Sequence, residues 1–421
     1  MKLQVSALGL GCWPIGGAVV REGRSRGYTG VDDAESLRAI AAAVDLGVTL
    51  FDTADAYGAG HSERLLGRAL AGHPEVAVAT KFGNTLDEET QQLTGVDTSP
   101  AYVRRAVHAS LRRLNRDRVD IYQLHTPDAV GERAAELVTT LEELVAEGLI
   151  GWYGVSATAP GQVETLAGPH LAVVQVEMNV LDGTPATAEA AEKLDLGVLC
   201  RSPLAMGILG GRHDATTRLP PEDVRAQQLG WLRWFDQGTP TSEVLRRLDA
   251  IRDVLTASGR SLAQGALAWI WADSPRAVPL PGFRTVAHIQ DTAAAMRHGP
   301  LTPAEHDEVE RLLGRPARQQ LRLTVQIVTK LAGQNTCSAA PPVGGRAHVF
   351  QVQPLPQNRA RLRTTPAASR RDGPMGDHHH HHHDPPTGPP PIHLKPLSTR
   401  LLSPAEIVPA TARSGGRTSA S

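Results

Sequence analysis

Four residues that can move or stabilise a proton lie in the first third of the chain. Asp52 and Tyr57 belong to the segment FDTADAYGAGHSERLLGRAL, and Lys81 and His125 follow at the ends of two later apolar runs. A phenol can protonate an oxygen that gains negative charge when hydride reaches a carbonyl carbon. These residue types therefore suit the reduction of a carbonyl group, with Tyr57 as the acid.

The other three residues could prepare Tyr57 for this role. The pKa of an unperturbed phenol is about 10, and a nearby ammonium such as that of Lys81 would lower it. A buried ammonium needs a carboxylate partner, which Asp52 can supply. His125 could donate a hydrogen bond to the substrate oxygen. We therefore expect a pKa for Tyr57 below that of free tyrosine.

Taken singly, each residue has a simpler explanation. Asp52 could cap a helix, Tyr57 could pack a loop, and His125 could be a buried histidine with satisfied hydrogen bonds. What favours a catalytic role is that all four fall at or just beyond the ends of successive predicted strands.

Up to about residue 317, short apolar runs alternate with amphipathic stretches. Eight runs are apolar throughout, as buried parallel strands are; they cover 8–12, 48–52, 76–81, 119–125, 151–156, 172–177, 197–202 and 277–282. Helix patterns cover 32–47, 99–115, 130–148, 242–259 and 261–274. This alternation predicts an α/β fold, a single-domain (β/α)8 TIM barrel over residues 1–317, whose strand ends converge on one face.

An open, doubly wound sheet is the alternative fold. It would need G-x-G-x-x-G between a strand and a helix, but Pro14 takes the third position after Gly9 and Gly11. The long 203–240 segment would lie over the ligand-binding face of a barrel. Its aromatic residues Trp231, Trp234 and Phe235 could equally pack a small helix or contact a substrate.

The region 318–421 differs in composition. It is rich in proline and arginine, carries the run His378–His383, and has an excess of basic residues, whereas residues 1–317 have an excess of acidic ones. We expect this tail to be disordered or non-native, and dispensable. The net charge of −1 gives no indication of nucleic acid or membrane binding.

Three cysteines, Cys12, Cys200 and Cys337, have no disulfide or metal-ligand spacing. No cluster outside the tail predicts a metal site. Neither a signal peptide nor an apolar run long enough to span a membrane is present. These features together predict a cytoplasmic protein.

Residues 52–70, DTADAYGAGHSERLLGRAL, resemble the signature of the aldo-keto reductase family. Further matching segments are GVS at 154–156, QVEMN at 175–179, RSPLAMGILGG at 201–211 and PLPGFRT at 279–285. The resemblance extends over roughly residues 4–315. It implies a TIM barrel that transfers hydride from NADPH to a small aldehyde or ketone, with the family's catalytic tetrad at Asp52, Tyr57, Lys81 and His125.

The resemblance also implies contacts with NADPH. The nicotinamide end would involve Gly11, Cys12, Trp13, Asp52, Ser156, Gln175 and Arg201. The pyrophosphate loop would involve Ser202, Leu204 and Gly207. The adenosine end would involve Gly282, Phe283, Arg284, His288, Asp291 and Thr292, with Arg284 on the 2′-phosphate.

Some positions depart from the family pattern. Arg201 replaces a tyrosine that many members stack on the nicotinamide, and Ala157 replaces an asparagine after GVS. His288 and Thr292 stand where glutamine or arginine, and asparagine, are common. Two other functions stay open: a regulatory or redox-sensing NADPH-binding barrel, and a lyase or aldolase that uses Lys81 as a Schiff base.

Overall fold

In a computed structural model, which describes residues 3–183, 185–316 and 350–356, eight parallel strands form one sheet. They are β1 (Leu10–Gly11), β2 (Leu50–Asp52), β3 (Ala77–Phe82), β4 (Val119–Leu124), β5 (Ile150–Ser156), β6 (Leu171–Glu177), β7 (Gly197–Arg201) and β8 (Ala277–Pro279). Each strand pairs with its neighbour in chain order. The predicted eight strands are all present, which confirms the barrel.

The sheet closes between its first strand and the segment around its last. Gly9 N donates to Pro279 O at 3.1 Å, and Gly11 N donates to Pro281 O at 2.9 Å. A Cβ on Gly11 would lie 2.8 Å from Leu280 O. Only glycine therefore lets the two backbones approach this closely.

The helices follow the strands along the chain, the last two after β8, and cover the outside of the barrel. They are α1 (Asp33–Asp45), α2 (His61–Ala69), α3 (Pro100–Leu114), α4 (Ala134–Ala146), α5 (Pro185–Lys193), α6 (Ser242–Leu255), α7 (Leu262–Asp273), α8 (Val286–His298) and α9 (Pro303–Leu312). Local signals explain several ends. The Ser99 side chain accepts from Tyr102 N ahead of α3, and Ser261 and Gln264 form a capping box on α7.

A small sheet over the carboxyl ends of the strands was not predicted. Val20–Arg21 pairs with Arg24–Ser25 in a hairpin and also with Gln92–Val96, which in turn pairs with Asn84–Asp87. We call this four-stranded sheet the flap. Its strands are two to five residues long, so they show no usable periodicity in the sequence. A second hairpin joins Phe235–Asp236 to Thr239–Pro240.

One apolar core lies between the strands and the helices, and a second lies inside the barrel. Phe350 belongs to the inner core and is 6% exposed. The strand Phe350–Val352 pairs in parallel with Leu3–Val5, and Phe350 packs where β7 begins, at Gly197.

The prediction that 318–421 is disordered is therefore wrong for residues 350–356, because they contribute an apolar side chain to the barrel. Cys337 and His378–His383 lie outside the described residues. No helix in the described ranges is long and apolar enough to cross a membrane.

Candidate active site

The structure brings Asp52, Tyr57, Lys81 and His125 together at the carboxyl ends of neighbouring strands. Asp52 ends β2, Tyr57 lies in the loop after it, Lys81 lies in β3, and His125 follows β4. Lys81 Nζ donates to Asp52 Oδ2 at 2.6 Å and to Tyr57 Oη at 3.0 Å. The rings of Tyr57 and His125 meet edge to face with centroids 6.1 Å apart.

The three N–H groups of Lys81 are all used. Besides Asp52 and Tyr57, the ammonium donates to Thr53 O at 3.0 Å. Because an ammonium can only donate, Tyr57 Oη is the acceptor in their bond. The phenolic proton of Tyr57 is therefore left for another acceptor, such as a bound oxygen.

Burial raises the pKa of Tyr57 above its ordinary value, and the opposing charge of Lys81 reduces this shift without cancelling it. The expectation of a pKa below that of free tyrosine is wrong for this structure, because it left out the desolvation of a buried phenol. Burial also lowers the pKa of Lys81, but Asp52 and Tyr57 outweigh it and the net shift is upward. Lys81 therefore stays an ammonium.

His125 is held neutral. Burial is the largest reason why the pKa of His125 lies well below its ordinary value, and the positive charges of Lys81, Arg201 and Arg21 add to it.

A neighbouring amide decides which nitrogen of His125 carries the proton. Arg21 Nη2 donates to Asn84 Oδ1 at 2.5 Å, so the other amide atom, Nδ2, faces His125 Nδ1 at 3.3 Å. Arginine can only donate, which fixes the orientation of the amide. Asn84 therefore donates to Nδ1, and the proton of neutral His125 lies on Nε2.

The remaining oxygen of Asp52 is bound by two amides. Gln123 Nε2 and Gln175 Nε2 each donate to Asp52 Oδ1 at 2.9 Å. Gln175 Nε2 also donates to Gln123 Oε1 at 2.9 Å. Only the carbonyl oxygen of the Gln175 side chain is thus left for a ligand.

The rest of the 52–70 signature supports the Tyr57 loop from behind. Glu63 is fully buried; its carboxylate accepts from Thr80 Oγ1 and from Arg113 Nε, each at 2.8 Å. Burial and the charge of Glu63 raise the pKa of the adjacent Asp55 well above its usual range. This buried network explains why acidic residues accompany Tyr57 in the motif.

A cavity of about 530 Å³ opens in front of these residues. Asp52, Tyr57 and His125 line it, whereas Lys81 lies behind Tyr57. Most of the proposed cofactor positions also line it: Gly11, Trp13, Gln175, Arg201, Ser202, Leu204, Gly207, Gly282, Phe283, Arg284, His288, Asp291 and Thr292.

Two predicted cofactor contacts do not line the cavity. The Cys12 side chain is fully buried, and burial raises the pKa of its thiol well above the usual range. Ser156 is 7% exposed, and its Oγ lies 3.1 Å from Arg201 Nη1. Ser156 Oγ thus accepts from Arg201, while its own O–H stays available as a donor.

Arg201 has no carboxylate within ion-pair distance in the described residues. Its guanidinium donates to Ser156 Oγ and to the backbone oxygens of Gln175 and Ala157, at 3.1 to 3.3 Å. Burial lowers its pKa from the ordinary value, while Glu177 counteracts the shift. It places a cation at the position that the family resemblance assigns to the nicotinamide.

The loop after β7 has unusual backbone geometry. Ser202, Ala205 and Met206 have φ values of 51°, 50° and 55°, although none is glycine. Such left-handed residues cost free energy and occur where a surrounding structure or a ligand requires them. Ser202, Leu204 and Met206 line the cavity.

The far end of the cavity is basic. Arg212 and Arg284 line it, together with His213 and His288. Arg284 Nη1 donates to Thr29 O at 2.8 Å. In the described ranges neither arginine has a carboxylate partner. A phosphate group would supply the missing anionic acceptor.

The aromatic residues of the 203–240 segment divide between the two expected roles. Trp231 is 47% exposed at the cavity and lies 6.2 Å from the Trp13 ring. Trp234 is 2% exposed and donates from Nε1 to Asp182 Oδ2 at 2.6 Å, and Phe235 is 4% exposed. Trp231 can therefore contact a ligand, whereas Phe235 packs the hairpin and Trp234 is fixed mainly by structural contacts.

Sequence reasoning missed several cavity residues. They are Arg21, Arg26, Tyr28, Asn84, Leu93, Arg212, His213 and Arg225. Most lie on the flap or in loops, where no periodic pattern marks them. Within the described part of the chain, no group of three His, Cys, Asp or Glu side chains is placed to bind a metal ion.

The structure is thus a parallel barrel whose strand ends carry a buried Asp–Lys pair, a tyrosine bonded to that lysine and a neutral histidine. A family model described as "Aldo/keto reductase family" matches residues 7–313. The chain belongs to the aldo/keto reductase family.

Relatives and solved structures agree with this assignment. A probable aldo-keto reductase from Glycine max is 27% identical over 298 residues, covering 70% of this chain and 81% of the relative. The glycerol dehydrogenase structure from Gluconobacter oxydans has a TM-score of 0.62 and 30% identity, covering 73% of this chain and 91% of its own. An aldo-keto reductase from Klebsiella pneumoniae, in complex with NADPH, has a TM-score of 0.53 and 25% identity, covering 74% and 92%.

Proposed function

We propose that this protein is an NADP(H)-dependent oxidoreductase that reduces an aldehyde or ketone to an alcohol, with Tyr57 as the general acid. The observation that carries the proposal is the hydrogen bond from Lys81 Nζ to Tyr57 Oη beside the cavity. It leaves the phenolic proton available to a bound oxygen. Family membership supports the reaction class.

The residues present fit the cofactor. A basic end with Arg212 and Arg284 suits the 2′-phosphate of NADP(H), and the left-handed loop from Ser202 to Met206 suits the pyrophosphate. NADP(H) complexes of two similar structures support the same choice. When bound, the cofactor would supply the hydride.

Side chains of the protein would then protonate and stabilise the carbonyl oxygen. Tyr57 Oη would donate its proton to the oxygen as negative charge develops, and His125 Nε2–H would donate a hydrogen bond to the same atom. Lys81, held charged by Asp52, stabilises the phenolate that remains. Trp13, which stacks on Tyr57 with ring centroids 6.1 Å apart, would restrict the orientation of the substrate.

The test is NADPH oxidation in single-turnover measurements with a generic aldehyde. Tyr57→Phe keeps the ring and removes the hydroxyl, so hydride transfer should fall at least ~100-fold while NADPH binding persists. Since the pKa of Tyr57 is raised, wild-type reduction should stay level through neutral pH and be lost only as pH rises through that pKa. Oxidation of the alcohol should show the opposite trend.

Near-wild-type reduction by Tyr57→Phe, with the cofactor bound, would refute the role of Tyr57 as the acid. Wild-type protein that binds NADPH but reduces no aldehyde would favour a regulatory barrel. The lyase alternative has little support in the structure. Lys81 does not line the cavity, and its raised pKa keeps it an ammonium, which is a poor nucleophile.

A further inference from the structure

The substrate end of the cavity has two arginines with no acidic partner. Arg21 and Arg26 both line the cavity, both are half-buried, and neither has a carboxylate within ion-pair distance in the described ranges. Two nearby acidic residues are already matched, because Asp52 pairs with Lys81 and Glu177 pairs with Arg233. A third, Glu22, is exposed on the turn of the hairpin, and its charge offsets only part of the downward shift in the Arg26 pKa. This end of the cavity therefore carries a net positive charge.

The flap is what brings these charges to the catalytic group. Pairing of Val20–Arg21 with Gln92–Val96 places Arg21 beside Asn84, which contacts His125. Arg21 uses Nη2 for Asn84, and no bond from its other N–H groups is recorded in the described residues.

Arg26 lies on the wall next to Trp13. Its backbone oxygen accepts from Trp13 Nε1 at 2.8 Å, and its guanidinium makes one long bond, at 3.4 Å, to Ser25 O. Burial lowers its pKa, and the charges of Arg21 and Arg24 add to the effect. Crowded, partly desolvated cations of this kind are unfavourable until an anion joins them.

We propose that the carbonyl compound reduced here carries a carboxylate group, which binds to the guanidinium groups of Arg21 and Arg26. The planar guanidinium fork matches a carboxylate in shape and charge. The carbonyl end would lie against Tyr57 and His125, and the rings of Trp13 and Trp231 would flank the connecting part. The substrate class is therefore aldehydo or keto acids, and this inference rests on the proposed reduction.

The experiment compares para-carboxybenzaldehyde with its methyl ester, which has the same ring and aldehyde but no charge. Wild-type protein should prefer the acid by about tenfold or more in kcat/KM, the scale of a hydrogen bond to a charged group. Arg21→Gln keeps an N–H for Asn84 and removes the charge. Arg21→Gln and Arg26→Gln should each reduce the preference for the acid over the ester by about tenfold, mainly by raising the KM of the acid.

Arg24→Gln is the matched control. Arg24 belongs to the same hairpin but is exposed, donates to Gln228 O and does not line the cavity. It should leave the preference unchanged. The proposal is overturned if wild-type protein reduces both aldehydes equally well, if neither cavity variant changes the preference, or if Arg24→Gln reduces it as much.

If neither aldehyde is reduced, the proposed reaction is refuted. A binding measurement then tests separately whether Arg21 and Arg26 bind a carboxylate. Calorimetry would measure para-(hydroxymethyl)benzoate and its methyl ester with the protein in the presence of NADPH. Binding of the acid that Arg21→Gln and Arg26→Gln weaken about tenfold supports the site. Equal binding of acid and ester, absence of binding, or binding that both variants leave unchanged overturns it.

Discussion

The proton states of Tyr57 and His125 follow from the hydrogen bonds that their neighbours make. Lys81 uses its three donors on Asp52, Thr53 and Tyr57, so the phenol can only accept from it. The same logic applies at His125, where an amide rather than a charge selects the tautomer.

The role of Asn84 can be tested by replacing its donor with an acceptor. In Asn84→Asp, a carboxylate oxygen would face His125 Nδ1, raise the pKa of His125 and favour a proton on Nδ1. Below the new pKa, the imidazolium would still donate from Nε2. Above it, the neutral ring would have a lone pair on Nε2, so hydride transfer should fall about 100-fold as pH rises.

Wild-type protein should show no such ionisation at neutral pH, because its His125 is already neutral with the proton on Nε2. The measurement is the pH profile of single-turnover reduction, with the His125 titration followed by NMR. Asn84→Ala, which removes the amide without adding a charge, serves as the control. A flat profile for Asn84→Asp would show that Asn84 does not position the histidine.

At the scale of elements, strands could be predicted from the sequence and the loops between them could not. Buried parallel strands are apolar on both faces, so all eight were visible as short apolar runs. Asp52, Lys81 and His125 stand at the ends of such runs, and Tyr57 lies in the adjacent loop. The convergence of the four residues therefore followed from the fold.

The flap was hidden because its pairing is long-range. Nothing local to Val20–Arg21 indicates that it will pair with Gln92–Val96, some 70 residues later in the chain. Arg21, Arg26 and Asn84 were missed for the same reason. The predicted direction of the Tyr57 pKa shift was also wrong. The shift depends on how deeply the phenol is buried, and residue spacing in the sequence does not reveal that depth.

The loop after β8, which contains Arg284, is predicted to set the preference for NADPH over NADH. Arg284→Ala should weaken NADPH binding by about 1.5–3 kcal/mol, because a charged partner of the 2′-phosphate is lost. NADH, which lacks that phosphate, should bind nearly as before. Fluorescence titration measures both affinities, and Arg297→Ala, at an exposed position on α8, is the control. Equal weakening of NADPH and NADH would mean that Arg284 supports the loop through Thr29 instead.

At the scale of the whole molecule, the catalytic residues and Phe350 lie at opposite ends of the barrel strands. Strand carboxyl ends carry the catalytic residues, whereas Phe350 packs on Gly197, where β7 begins. Residues 350–356 are therefore expected to contribute to stability and not to the chemistry.

Two truncations separate that segment from the rest of the tail. Deletion of 357–421 should leave stability and kcat/KM unchanged, whereas deletion of 318–421 removes Phe350 from the inner core. Loss of a buried phenylalanine should lower the free energy of unfolding by about 3 kcal/mol.

In the full chain, Phe350→Ala should reproduce most of this loss, while Gln351→Ala, a half-buried neighbour on the same strand, should not. Urea unfolding measures the difference, and aldehyde turnover under folding conditions should stay the same in all four variants. Equal stability of the two truncated proteins would show that residues 350–356 contribute nothing to the barrel. Stability of both equal to that of the full chain would show that the whole region after residue 317 is dispensable.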